Sequence, residues 1–325
     1  MHVLPRLAAL AATAFSLILP LSGASAQDYP NKSVRVIVPF GAGGPADVYA
    51  RVLAQHLSDA LKQSFVVENR PGAGAITGTD AVAKSAPDGY TLLLMSNTHT
   101  TNESLIPVRP YQLMRDFVPV SPINYSDLLM VAHPSTGVKD LKEFIALAKK
   151  DPGKLNYASS GPGTPYHMAG ELFKAMSGTN IVHVPHKSSG DMRSSVMGGH
   201  VHMMFDAITV MRQGVEGGQL IALGTTGKQR SSVMPNVPTV AEAGVPGYEA
   251  TIWLGVMAPT GTPTPIVDKL NAEIVKIMNR PDVKEAWAKQ GAVPMPMTPA
   301  EFDKYLRADI AKWAEVVKVS GAKAE

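Results

Sequence analysis

There is no cysteine among the 325 residues, so disulfides, thiol nucleophiles and cysteine-ligated metals are excluded and a packed core must hold the fold. Aromatics make up only 6% and are not interleaved with blocks of Lys or Arg. With a formal net charge of just +3, the chain lacks the electrostatic footprint of a nucleic-acid-binding protein and keeps a mild attraction for small anions. Beyond residue 26 no stretch is long and apolar enough to span a bilayer. Catalytic signatures are missing too. Ser160 sits in Ser-Ser-Gly-Pro-Gly rather than in a G-x-S-x-G elbow, there is no H-E-x-x-H, and Gly227-Lys228 lacks the upstream glycine of a phosphate loop.

What is present begins at the N-terminus. Residues 1–6 carry one positive charge at Arg6, and the apolar run 7–21 is broken only by Thr13, Ser16 and Pro20 before Ala24-Ser25-Ala26. That pattern reads as a signal peptide over 1–26, cleaved after Ala26, which sends the chain to the periplasm.

After it, short β-branched runs alternate with helical patterns. Strands are expected over 34–38, 65–67 and 91–95, with helices over 48–61 and 79–84 and a loop after the third strand. A second series places strands at 128–132, 155–158, 181–184 and 201–205 and helices at 141–149, 166–176 and 192–197. Such alternation predicts an α/β fold with parallel sheets. Near the end a helix over 265–278 precedes Thr298-Pro299-Ala300-Glu301, a capping box whose helix presents Phe302, Tyr305, Leu306, Trp313 and Val317. Neither tail helix can leave its apolar face in water, so the tail is expected to pack back on the first domain. The expected organisation is domain 1 over 27–125 and 250–325 and domain 2 over 126–249, hinged near 124–128 and 249–254.

Two glycine loops carry the functional signal. The first strand runs into Pro39-Phe40-Gly41-Ala42-Gly43-Gly44-Pro45-Ala46-Asp47, and the strand over 155–158 into Ser159-Ser160-Gly161-Pro162-Gly163-Thr164-Pro165 with His167 just beyond. A glycine turn lets backbone N–H groups approach a ligand, and the helix that follows turns its positive dipole end toward an anion. The first loop also satisfies G-x-G-x-x-A, with Glu68 placed like a ribose-binding acid. Export and the duplicated loop argue against a dinucleotide site, and no cofactor is expected. His183, His186, His200 and His202 form a loose group, which is read as incidental and not as a metal centre.

These loops, together with Tyr29-Pro30, the run from Glu68 to Gly74, Pro87-Asp88-Gly89-Tyr90-Thr91 and the stretch from Gly198 to Asp206, resemble the substrate-binding proteins of tripartite tricarboxylate transporters, the Bug or TctC family. The resemblance spans the mature chain. It implies a type II periplasmic binding fold, a Venus flytrap of two α/β domains that catalyses nothing and acts as a monomer. It also implies a small carboxylate ligand and delivery to large and small membrane subunits. Residues carried over are Phe40, Gly41, Ala42, Gly43 and Asp47 from the first loop, and Ser159, Ser160, Gly161, Gly163, Thr164 and His167 from the second. Asn97, Thr98, His99, Asn102 and Asp206 are assigned to the distal pocket. The chain departs from the family pattern at His186-Lys187-Ser188 and at His202. An exported enzyme using the same cleft and a ligand sensor remain the alternative readings.

Overall fold

The computed structural model describes residues 29–324, so the expected signal peptide and its cleavage site lie outside the described residues. The first lobe opens with β1 (Val34–Val38), α1 (Pro45–Leu61), β2 (Phe65–Asn69), α2 (Ile76–Ala83), β3 (Thr91–Ser96), α3 (Asn97–Leu105) and α4 (Leu113–Asp116). The long β4 (Phe117–Ala132) leads into the second lobe, α5 (Leu141–Lys150), β5 (Asn156–Ser159), α6 (Pro165–Ser177), β6 (Val182–Pro185), α7 (Ser189–Met197), β7 (Met203–Ala207), α8 (Ile208–Glu216) and β8 (Ile221–Thr225). The chain returns through β9 (Thr251–Pro259), α9 (Thr264–Asn279), α10 (Pro281–Ala288), β10 (Ala292–Pro294) and α11 (Pro299–Ser320).

One sheet joins the lobes, in the order β2-β1-β3-β9-β4-β7-β5-β6, with β8 and β10 also paired to β4. Strands β1, β2 and β3 are parallel, as are β5, β6 and β7. The expectation of parallel sheets fails in the middle, where β9 and β4 pair antiparallel with each other and with β3 and β7. The reason is topological: β4 and β9 carry the chain between lobes in opposite directions, so they must run side by side antiparallel. Around Tyr125 to Asp127, opposite Trp253 to Thr251, the pair passes between the lobes' cores.

The helices form where sequence and core agree. In α1, Pro45 at the first position pre-sets the backbone, and Tyr49, Leu53 and Leu57 bury one face. Expected as a loop, α3 is a helix. Its sequence Asn-Thr-His-Thr-Thr-Asn-Glu-Ser-Leu has no apolar stripe because it is enclosed on several sides, and a capping box between Ser96 and His99 starts it. The tail does reach the first lobe, through Phe302 and Leu306. It also extends past it, since Trp313 and Val316 of α11 pack on Met168 of α6. A helix of 22 residues is about 33 Å long and overruns a single lobe.

Candidate functional site

In the first loop Gly41, Ala42 and Gly43 are exposed, and a Cβ built on Gly41 or Gly43 would meet no atom within 4 Å. Gly43 takes φ +76°, a conformation that favours glycine. Its N–H donates to Asp47 Oδ2 at 2.9 Å, so Asp47 closes the loop. Burial pushes the Asp47 carboxyl up, but the bonds from Arg51, Gly43 and Asn69 outweigh it and hold the group below the usual carboxylate range. Phe40 is half-buried, and its ring meets that of His99 edge-on at 5.9 Å.

The second loop is tied by its own side chains. Thr164 Oγ1 donates to Gly161 O (2.7 Å) and accepts the His167 N–H as the N-cap of α6. Ser159 is fully buried, accepts the Gly161 N–H at 3.1 Å and shares a 2.6 Å hydrogen bond with His183 Nε2. Gly163 N–H donates to His167 Nδ1 at 3.0 Å. The hydroxyls of Ser159 and Thr164 are therefore engaged within the loop. Ser160 Oγ, half-buried, has no hydrogen bond among the described residues.

Behind this loop lies a stack of rings. His167 and His183 are stacked at 4.1 Å between centroids, and Tyr157 lies on His183 at 4.9 Å. Tyr157 OH donates to Glu171 Oε1 (2.6 Å), which Lys174 also contacts at 2.7 Å. Burial, then the Lys174 charge, lowers His167 to about 4. Burial, then the neighbouring His167, lowers His183 to about 3. Both imidazoles are neutral at physiological pH, which suits Nδ1 of His167 as an acceptor.

A third turn completes the site, and sequence reading did not count it. Gly72, Ala73, Gly74 and Ala75 all have positive φ, and Ala73 (+46°) and Ala75 (+76°) do so without being glycine. Such strain concentrates at functional sites. A Cβ on Gly74 would lie 4.0 Å from Pro162 O, and one on Gly163 would lie 3.0 Å from Asn102 Oδ1 and 2.9 Å from Leu105 Cδ2. The second loop thus faces this turn and α3 directly. Asn102 Nδ2 donates to Gly74 O (2.8 Å), while its Oδ1 is buried without a partner. The available signal was Gly72-Ala73-Gly74 ahead of a helix, the same grammar as the other two loops.

The distal set divides. Asn97 Oδ1 and Thr98 Oγ1 are buried without a partner, which leaves them free to meet a ligand or water. His99 is fully buried and structural: its Nδ1 accepts the Ser96 N–H and its Nε2 bonds Thr79 at 3.0 Å. Burial lowers it to about 4. Asp206 is fully enclosed and bonded to Arg193 Nε at 2.6 Å. Burial pushes its carboxyl up against the opposing pull of Arg193. The histidine group disperses, with His202 on Asn156, His186 on Val184 O and His200 exposed. No three His, Asp or Glu gather as a metal-ligand set among the described residues. Glu68 is occupied by Arg35 (2.9 Å) and Arg70 (2.6 Å).

Two α/β lobes joined through one sheet, with helix-opening glycine turns gathered where they meet, define the class of periplasmic solute-binding folds, and the comparisons agree. Residues 49–322 match the model described as the tripartite tricarboxylate transporter family receptor. BugT of Bordetella pertussis is 40% identical over 301 residues, covering 92% of each chain. Among solved structures, an R. palustris protein with adipate is 35% identical with a TM-score of 0.85, covering 91% of this chain and 99% of that one. MatC from Rhodopseudomonas palustris, with bound malate, is 32% identical with a TM-score of 0.81, covering 89% and 100%. The chain belongs to the tripartite tricarboxylate transporter receptor family, whose solute-binding proteins include Bug members.

Proposed function

We propose that the protein is an exported solute-binding protein that captures a small carboxylate at its glycine loops and hands it to the membrane subunits of a tripartite transporter. The observation that carries this reading is the second loop. Its Ser160 hydroxyl, without a hydrogen-bond partner among the described residues, stands ahead of the N-terminus of α6, and the loop faces the Gly72–Ala75 turn through Pro162. Donors fixed in advance suit a carboxylate, because no ordering cost falls on binding.

The first loop, at the end of β1, offers the exposed backbone of Gly41 and Ala42. That relatives of 32–35% identity were solved with adipate and malate supports the carboxylate class. Binding without conversion fits the buried state of Ser159. Its pair with His183 has a nucleophile-and-base look, but a fully enclosed hydroxyl cannot reach a substrate. Titration calorimetry against linear dicarboxylates of four to eight carbons tests the reading. A stoichiometric complex whose ligand is recovered unchanged is the expected outcome, and absence of binding throughout the series would overturn it.

A further inference from the structure

Arg193 is an unexpected residue in its place. It lies on α7 between Met192 and Val196, both fully buried, yet its own side chain keeps 27% of its surface exposed. Its Nε donates to Asp206 Oδ2 at 2.6 Å, and the other oxygen of Asp206 accepts the Ala207 N–H at 2.7 Å. One edge of the guanidinium is thereby fixed by a fully enclosed acid. The Nη1 and Nη2 groups have no hydrogen-bond partner among the described residues.

The sheet places that fixed cation at the site. Strands β5 and β7 are parallel neighbours with Ala158 opposite Met204. Strand β5 ends one residue on at Ser159, so Ser160 opens its loop at the carboxyl edge where β7 carries Asp206. Tyr166, the second residue of α6, packs beside both Asp206 and Arg193 and is nearly buried. Arg193 is thus held beside the second loop, one strand over from the free Ser160 hydroxyl.

We propose that Arg193 is a specificity residue whose Nη groups receive the second carboxylate of a linear dicarboxylate, the first being held at the second loop. The assignment rests on the carboxylate-binding reading and deepens it. A planar fork with two free donor groups matches the two oxygens of a carboxylate, and the Asp206 anchor keeps it oriented before the ligand arrives. A monocarboxylate of the same length would bring a methyl group against those donors and leave them unpaired, so the site selects dianions.

The test compares adipate with hexanoate, and succinate with butyrate, by calorimetry on the wild type and on Arg193→Met/Asp206→Asn. The double variant removes both charges, because taking away Arg193 alone would strand a buried carboxylate. Wild type should prefer each dicarboxylate on the order of ten- to a hundredfold, the range for charge-assisted hydrogen bonds. The variant should lose that preference while binding the monocarboxylates within about threefold of wild type. Arg193→Lys, which keeps the charge and loses the fork, should retain part of the preference and supplies the companion if the double variant does not fold. A preference for dicarboxylates that survives undiminished in the double variant, or in Arg193→Lys where the double variant does not fold, would overturn the role of Arg193 alone. Failure of the wild type to bind any of the four acids would instead overturn the underlying reading, and this proposal with it.

Discussion

The second loop separates two hydroxyls that sequence alone treats as equivalent. Thr164 caps α6 and is engaged by Gly161 and His167, so Thr164→Ala should cost about 1 kcal/mol of stability in denaturant titration while leaving ligand affinity nearly unchanged. Ser160→Ala should do the reverse and weaken carboxylate binding about tenfold, with an unchanged ligand-free melting temperature. Equal effects on affinity would show that both hydroxyls reach the ligand. The buried His183 adds a pH dependence. Its folded pKa of about 3 lies below the unfolded 6.5, so the unfolded chain takes up the proton first. Its contribution is complete above pH 6.5 and is lost as the pH falls from there toward 3. Wild type should therefore lose melting temperature relative to His183→Gln over that window, and parallel pH profiles for the two proteins would refute the neutral buried imidazole. At this scale the cap was legible, because Thr before Pro at a helix start is a local signal. His99 was not legible: its role depends on Thr79, Ser96 and complete enclosure, which no spacing encodes. Arg193 escaped for the same reason, its partner lying 13 residues away on strand β7.

The elements follow local pattern where one face is wet, and depart from it where none is. Helix α1 and strand β1 were readable from spacing, and the capping box at Thr298 placed the start of α11. Helix α3 was missed because periodicity requires contrast between faces, and a polar helix enclosed among α11, β3 and β9 has little. The antiparallel middle of the sheet was unreadable because strand direction depends on how the lobes connect and not on any residue within β4. Packing between elements yields a further prediction at α6. A Cβ on Gly170 would come within 2.2 Å of the Tyr157 ring, which is enclosed and stacked on His183. Gly170→Ala should therefore destabilise the protein by about 1–3 kcal/mol in chemical denaturation, despite the better helix propensity of alanine. A neutral or stabilising result would mean that the ring stack can shift.

For the whole molecule, a ligand that binds only the folded state stabilises it by roughly 2.7 kcal/mol at a hundredfold excess over Kd, worth about 4 °C for a chain of this size. A dicarboxylate found by calorimetry should produce that shift in a thermal melt, and none of it should decay on incubation if the protein only binds. The lobes are tied at three places: β4 crosses once, the chain returns into β9, and α11 lies over both with Phe302 against Trp253 at one end and Trp313 on Met168 at the other. Asp309, midway along α11, accepts hydrogen bonds from Thr100 of α3 and Trp253 of β9. Two strands alone would act as a swivel, free to twist as well as bend. A third tether set off that axis opposes the twist and favours bending alone. At its far end the tether rests through Trp313 on Met168, an unbranched side chain soft enough to repack.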